Sequence, residues 1–131
     1  MSKPRIFTTR RWPEAVEAKL AERFDLVLNT DDRPLQTEEF RDVFRDFDAV
    51  LPTVTDKLGA AAFEVAAPRT KILGNFGVGF SHIDIESASR CGMVVSNTPD
   101  VLSDCTADIA MTLMLMVARR AGEGERELRA G

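Results

Sequence analysis

The segment Asn75-Phe76-Gly77-Val78-Gly79-Phe80-Ser81-His82-Ile83-Asp84 places two glycines directly after an apolar strand pattern, where backbone N–H groups can turn toward an anion. Two ligand chemistries suit such a loop. A nucleotide would call for the dinucleotide fingerprint G-x-G-x-x-G, whose third glycine falls at position 82, and that position is His82. A carboxylate needs only consecutive N–H groups in a concavity, which Gly77, Val78 and Gly79 can supply. The alternative to both is a tight turn in which the glycines serve only to permit positive φ.

The surrounding polar residues admit a plain reading beside a chemical one. His82 is the only histidine, and a proton shuttle needs an orienting carboxylate. Asp84 is better employed as the N-cap of the next helix, so His82 reads as a hydrogen-bonded structural residue. Ser103, Asp104 and Thr106 cluster at a helix start, where capping is the simpler role and Thr106 is the member placed to face a ligand. Thr53 and Thr55 follow the third strand pattern and reach the same sheet edge as the glycines, either lining one crevice or forming a solvated loop. Met111, Met114 and Met116 read as interface packing. Cys91 and Cys105 have no CxxC spacing, so neither a disulfide framework nor a metal site is expected.

Hydrophobic periodicity gives the elements that must position these groups. Apolar, β-branched or aromatic runs at Ile6–Thr9, Phe24–Leu28, Phe47–Leu51, Lys71–Gly74 and Met93–Ser96 predict five strands. Helical stretches alternate with them. The first spans Pro13–Arg23 with Val16 and Leu20 as its apolar stripe, and the second runs from Thr37, as N-cap, to Arg45 with Phe40, Val43 and Phe44 inward. A short alanine-rich helix is expected near Ala60–Ala67, and another from Asp84 to Arg90 that ends at Gly92. Strict alternation with short connections predicts an α/β fold, a flavodoxin-like doubly wound five-stranded parallel sheet.

Beyond Pro99 the pattern changes. Ser103 is expected to cap a helix whose body, Ala107–Ala118, is apolar on nearly every face and so expects burial all round. At twelve residues it is short of the roughly 20 needed to span a bilayer. Gly122 is expected to end it, with a polar helix beginning near Glu123. The domain reading is 1–99 for the sheet domain and 100–131 for a helical extension, the boundary lying in Ser96–Asp100. Composition excludes other classes. A net charge of −4 with scattered basic residues gives no field for a nucleic acid, and no membrane role is expected. With two cysteines and no apolar leader after Met1, the expected setting is cytoplasmic.

The run from Lys71 to Gly131 resembles the D-isomer-specific 2-hydroxyacid dehydrogenases, and within them the glyoxylate and hydroxypyruvate reductases. The residues that carry the resemblance are Asn75 to Asp84, then Arg90-Cys91-Gly92-Met93-Val94-Val95-Ser96-Asn97-Thr98-Pro99, Thr106-Ala107-Asp108 and Ala118-Arg119-Arg120. The resemblance implies that the N–H groups of the Gly77-Val78-Gly79 loop bind a substrate carboxylate, chiefly through Val78 and Gly79. It implies Thr53 and Val54 as contacts to the substrate side chain, and Thr106 and Val78 as contacts to an NAD or NADP cofactor. Family members continue through a coenzyme domain carrying GxGxxG, a catalytic arginine, a glutamate and a histidine, and residues 100–131 would open that domain. None of those motifs occurs here. The expectation is therefore a substrate-binding part that binds a small 2-oxo or 2-hydroxy carboxylate, holds no cofactor alone and has no catalytic residue of its own. A homodimer or swapped oligomer through Ala107–Ala118 is expected, because that helix is left without a domain partner. The alternative function is a free-standing, non-catalytic flavodoxin-like binding or interaction module.

Overall fold

Five strands, β1 (Arg5–Thr8), β2 (Asp25–Leu28), β3 (Ala49–Leu51), β4 (Ile72–Gly74) and β5 (Val94–Ser96), pair in parallel in the order β2-β1-β3-β4-β5. This is the flavodoxin-like order. The computed structural model describes residues 2–131, and the chain divides into a unit ending at Thr98 and a second unit, Pro99–Gly131.

Register explains the first unit's core. Phe7, Val27, Val50, Leu73 and Val95 stand side by side across the strands and face Phe40, Phe44, Phe47 and Phe63. Helix α2 (Thr37–Asp46), a 3-10 turn (Ala60–Phe63) and helix α3 (Ile85–Arg90) cover this face. Right-handed crossovers put helix α1 (Glu14–Arg23) on the opposite one, because β2 lies on the other side of β1. All parallel strands end at the same sheet edge, so the loops after β1, β3, β4 and β5 converge there.

Several local expectations are corrected, each for a physical reason. The second and third strands start later than the apolar runs because Phe24 and Phe47 close the preceding helices, donating their N–H groups to Leu20 O and Val43 O. Thr37 is not the N-cap of α2; Gln36 is, and the Glu39 carboxylate accepts its N–H at 2.8 Å. Arg33 pairs with Glu39 and, with that backbone bond, holds its carboxyl down to about 2. On α1 the buried residue is Glu17, while Val16 is 38% exposed. Arg11 grips the Glu17 carboxylate at 2.9 and 2.8 Å and the Trp12 N–H adds a third bond at 2.8 Å, which turns that face of the helix polar. The helix expected to Ala67 stops at Phe63, since Glu64 leaves the helical range at φ −74°, ψ 65° while its N–H closes the turn on Ala61 O. Asp84 does cap α3, its Oδ1 accepting from Ser87 N–H at 2.8 Å.

The second unit is a helical pair, α4 (Ser103–Ala118) and α5 (Ala121–Ala130). Ser103 is its first helical residue and Leu102 the cap, so Ser103 does not cap it. Gly122 lies inside α5 and terminates nothing; the chain turns at Arg120, φ 52°, and α5 is under way before Glu123. No residue of α4 is buried, against the expected burial all round, because α5, a ten-residue helix rich in Glu and Arg, covers little of it. Ile109, Leu115 and Val117 are 62, 61 and 78% exposed. No helix among the described residues is long and apolar enough to cross a membrane.

Candidate functional site

The sheet edge is laced together by its own backbone. Phe76 N–H donates to Pro52 O at 2.8 Å and a bridge pairs Thr53 with Phe76, which joins the loops after β3 and β4. On the other side, Asn75 N–H donates to Ser96 O at 2.9 Å and Thr98 N–H to Gly77 O at 3.1 Å, which joins the loops after β4 and β5.

Within Gly77-Val78-Gly79 the two kinds of backbone group are treated differently. Every carbonyl is engaged: Gly77 O by Thr98 N–H and by Asn75 Nδ2 at 3.2 Å, Val78 O by Asn97 Nδ2 at 2.8 Å, and Gly79 O by Asn75 Nδ2 at 2.9 Å. Among the described residues, no acceptor meets the N–H of Val78 or of Gly79. With Gly77 and Val78 half-buried and Gly79 exposed, a loop whose carbonyls are held back and whose Val78 and Gly79 N–H groups stay unpaired presents partial positive charge to an incoming anion.

The glycines are not there for positive φ, since neither Gly77 nor Gly79 adopts it. That reading of the loop as a φ-driven turn fails. A Cβ on Gly77 would stand 2.5 Å from Val54 Cγ1, so close packing of the two loops requires the missing side chain; a Cβ on Gly79 would meet nothing within 4 Å. The space where a Gly79 side chain would stand is open.

Asn75 is the residue that sequence reasoning quoted without assigning it a task. It is 3% exposed. Both Nδ2 hydrogens go to loop carbonyls, which turns Oδ1 toward His82 Nε2 at 3.0 Å and makes that nitrogen the donor. Burial pushes the imidazole below its usual range, partly offset by the charge of Asp56, so His82 is neutral at pH 7. His82 thus orients Asn75, and Asn75 orients the loop. A signal was available in the alternation, because Leu73 and Asn75 share the core-facing side and a buried amide at a strand end has to bond something.

The other expected residues divide by unit. Thr53 is 9% exposed and shares a hydrogen bond of 2.9 Å with Thr55 Oγ1, while Val54 is 56% exposed. Both threonines therefore belong to an ordered turn at the site's edge. Thr106, Ser103 and Asp104 lie in the first turn of α4, in the second unit, and Thr106 N–H serves the helix by donating to Leu102 O at 3.0 Å. Among the described residues no group of three or more His, Cys, Asp or Glu could hold a metal ion.

A dinucleotide does not suit the first unit. Its pyrophosphate needs a free helix N-terminus straight after the glycines. Here Phe80–Ile83 intervene, α3 is only six residues long, and the Asp84 carboxylate already occupies the Ser87 N–H.

Known proteins share both the sequence and this architecture. A family model described as D-isomer specific 2-hydroxyacid dehydrogenase, catalytic domain, matches residues 6–123. The glyoxylate reductases of Thermococcus onnurineus and Korarchaeum cryptofilum are 39 and 40% identical to the chain over 129 residues, which is 98% of the chain and 38 and 39% of those proteins. A solved structure of an NADPH-dependent glyoxylate/hydroxypyruvate reductase from Sinorhizobium meliloti, in complex with NADP and malonate, superposes with a TM-score of 0.75 at 32% identity, covering 99% of the chain and 39% of that protein. The chain spans about two fifths of the length of each.

Proposed function

The chain belongs to the D-isomer specific 2-hydroxyacid dehydrogenase family, and from that premise we propose that it is the substrate-binding part of an NAD(P)-dependent oxidoreductase that reduces small 2-oxo acids, such as glyoxylate or hydroxypyruvate, to D-2-hydroxy acids. The observation that carries this reading is the pair of unpaired N–H groups on Val78 and Gly79, in a loop whose carbonyls are all engaged.

The residues divide the work as follows. Val78 and Gly79 donate to the substrate carboxylate, Gly77 lets the loop lie against Val54, and Thr53 and Val54 border the substrate's remaining substituent. Fixing the carboxylate fixes the adjacent 2-oxo carbon, because only one bond separates them; this is the positional half of catalysis. NAD or NADP, when bound to the coenzyme part, supplies the hydride, with Thr106 and Val78 as this chain's contacts to it. Reduction also needs a proton for the new hydroxyl, and His82 is not its source, since its Nε2 hydrogen is committed to Asn75 Oδ1. The chain alone therefore binds without turning over. A homodimer or swapped oligomer through Ala107–Ala118 would cover the exposed apolar side chains of α4, and a cytoplasmic setting suits the free cysteines.

A chimera tests this reading. Joined at Gly131 to the remaining coenzyme-binding part of the Thermococcus onnurineus glyoxylate reductase, the chain is expected to oxidise NADH or NADPH only when glyoxylate or hydroxypyruvate is added, while the chain alone shows no turnover. A folded chimera that binds the dinucleotide and reduces neither acid would count against it.

A further inference from the structure

Beneath the Thr53–Thr55 turn lies a carboxyl group that carboxylate binding does not itself use. Asp56 is 2% exposed. Its Oδ2 accepts from Thr53 N–H at 2.8 Å and from Thr9 Oγ1 at 2.5 Å, while its Oδ1 is buried with no hydrogen-bond partner among the described residues. The turn is gripped from its other side as well. Arg10, anchored on Asp32 at 2.9 Å, donates Nη1 to Thr55 Oγ1 at 3.1 Å, and Thr55 in turn bonds Thr53 Oγ1.

A buried carboxylate with one oxygen unpaired is costly for a fold that needs only a linker at that point. What the arrangement does accomplish is to fix Thr53 and Thr55 while leaving Val54 between them free of polar ties. Val54 is 56% exposed, and its Cγ1 lies so close to Gly77 that a Cβ there would come within 2.5 Å of it. An acid held on the Val78 and Gly79 N–H groups therefore has Val54, packed against Gly77, as an apolar wall beside it for the substituent on its 2-oxo carbon.

We propose that Asp56 is a positioning residue that sets which 2-oxo acid side chain the site accepts, by clamping the Thr53–Thr55 turn to Thr9 and so holding Val54 against the carboxylate loop. The proposal rests on the carboxylate-binding reading of Val78 and Gly79. It differs from that reading in what it governs: the N–H groups hold what every 2-oxo acid shares, whereas Asp56 acts only on the part that differs between acids.

The test compares glyoxylate, which carries no side chain, with hydroxypyruvate. Each is titrated into the wild-type chain, Asp56→Ala, Asp56→Asn and Thr9→Val, with the Val78 and Gly79 amides followed by NMR and thermal melting recorded beside them. Asp56→Ala is expected to leave glyoxylate affinity within about threefold and to change the hydroxypyruvate-to-glyoxylate ratio by about tenfold, the scale on which one wall of a pocket discriminates. Asp56→Asn, whose amide oxygen can accept from both Thr53 and Thr9, should restore the wild-type ratio. Thr9→Val removes one of the two donors and should move the ratio in the direction of Asp56→Ala, which keeps the test open if the alanine variant fails to fold. Equal weakening of both acids, or an unchanged ratio in Thr9→Val and Asp56→Ala, would overturn the proposal. A wild-type chain that binds neither acid overturns the carboxylate reading itself, and the role of Asp56 with it.

Discussion

Asn75→Ala is expected to lower carboxylate affinity at least tenfold and to destabilise the first unit by about 2–4 kcal/mol, the cost of stripping partners from buried polar groups. Three hydrogen bonds go at once: those to Gly77 O and Gly79 O at 3.2 and 2.9 Å, and the one from His82 Nε2 at 3.0 Å. Without them Gly79 O loses its partner and is free to turn toward the ligand, while Gly77 O keeps Thr98 N–H and Val78 O keeps Asn97 Nδ2; a carbonyl oxygen facing a carboxylate repels it. The affinity loss should therefore exceed that of a variant losing equal stability elsewhere. Asn75→Asp sharpens the comparison, since a carboxylate cannot donate to the two carbonyls and adds a like charge beneath the ligand. It should bind more weakly still, whereas His82→Gln, which keeps a donor for Asn75 Oδ1, should lie closest to wild type. Isothermal titration with glyoxylate and urea unfolding measure the two effects separately.

The second large effect is on stability alone. Phe44 is fully buried, stacks on Phe63 at 5.4 Å between ring centroids and lies 6.1 Å from Phe40. Its carbonyl also receives Arg69 N–H at 2.8 Å and Thr70 N–H at 3.1 Å, so α2 and the approach to β4 meet at this residue. Phe44→Ala opens a cavity where helix, 3-10 turn and sheet converge, and should cost about 3–5 kcal/mol. Since single domains are stable by only about 5–15 kcal/mol, the variant should be close to unfolding at 37 °C. Circular dichroism melting reads it, with a drop of about 15–30 °C expected for a unit of this size. A drop of a few degrees would mean that the aromatic cluster is not the centre of the core.

The order of the sheet was legible because parallel strands covered on both faces read as continuous apolar runs, and Phe7, Val27, Val50, Leu73 and Val95 fall in such runs. The glycine loop was legible for the same local reason, a GxG at the end of one of those runs. What escaped was whatever depends on residues distant in the chain. Gly77 is required by Val54, more than twenty positions earlier, and nothing near Gly77 announces that contact. Asn75 could be seen as part of a motif, but its task depends on His82 and on carbonyls that only the folded loop brings round. Asp56 has no motif to mark it; its buried partner is Thr9, just past the end of a different strand. The cap expected at Thr37 falls to Gln36 because Glu39 closes a capping box with it, and the one expected at Ser103 falls to Leu102, which makes no side-chain capping bond. The apolar body of α4 promised burial, yet its side chains are exposed in this chain, as a pattern records what a helix requires and not what supplies it.

Titrating glyoxylate into the isotopically labelled chain and following its backbone amides measures the central claim most directly. The amides of Val78 and Gly79 should shift together, saturably and further than any others, with Asn75 side-chain resonances responding in second place. Saturable shifts centred elsewhere, or no movement of Val78 and Gly79 at millimolar glyoxylate in a folded chain, would contradict it.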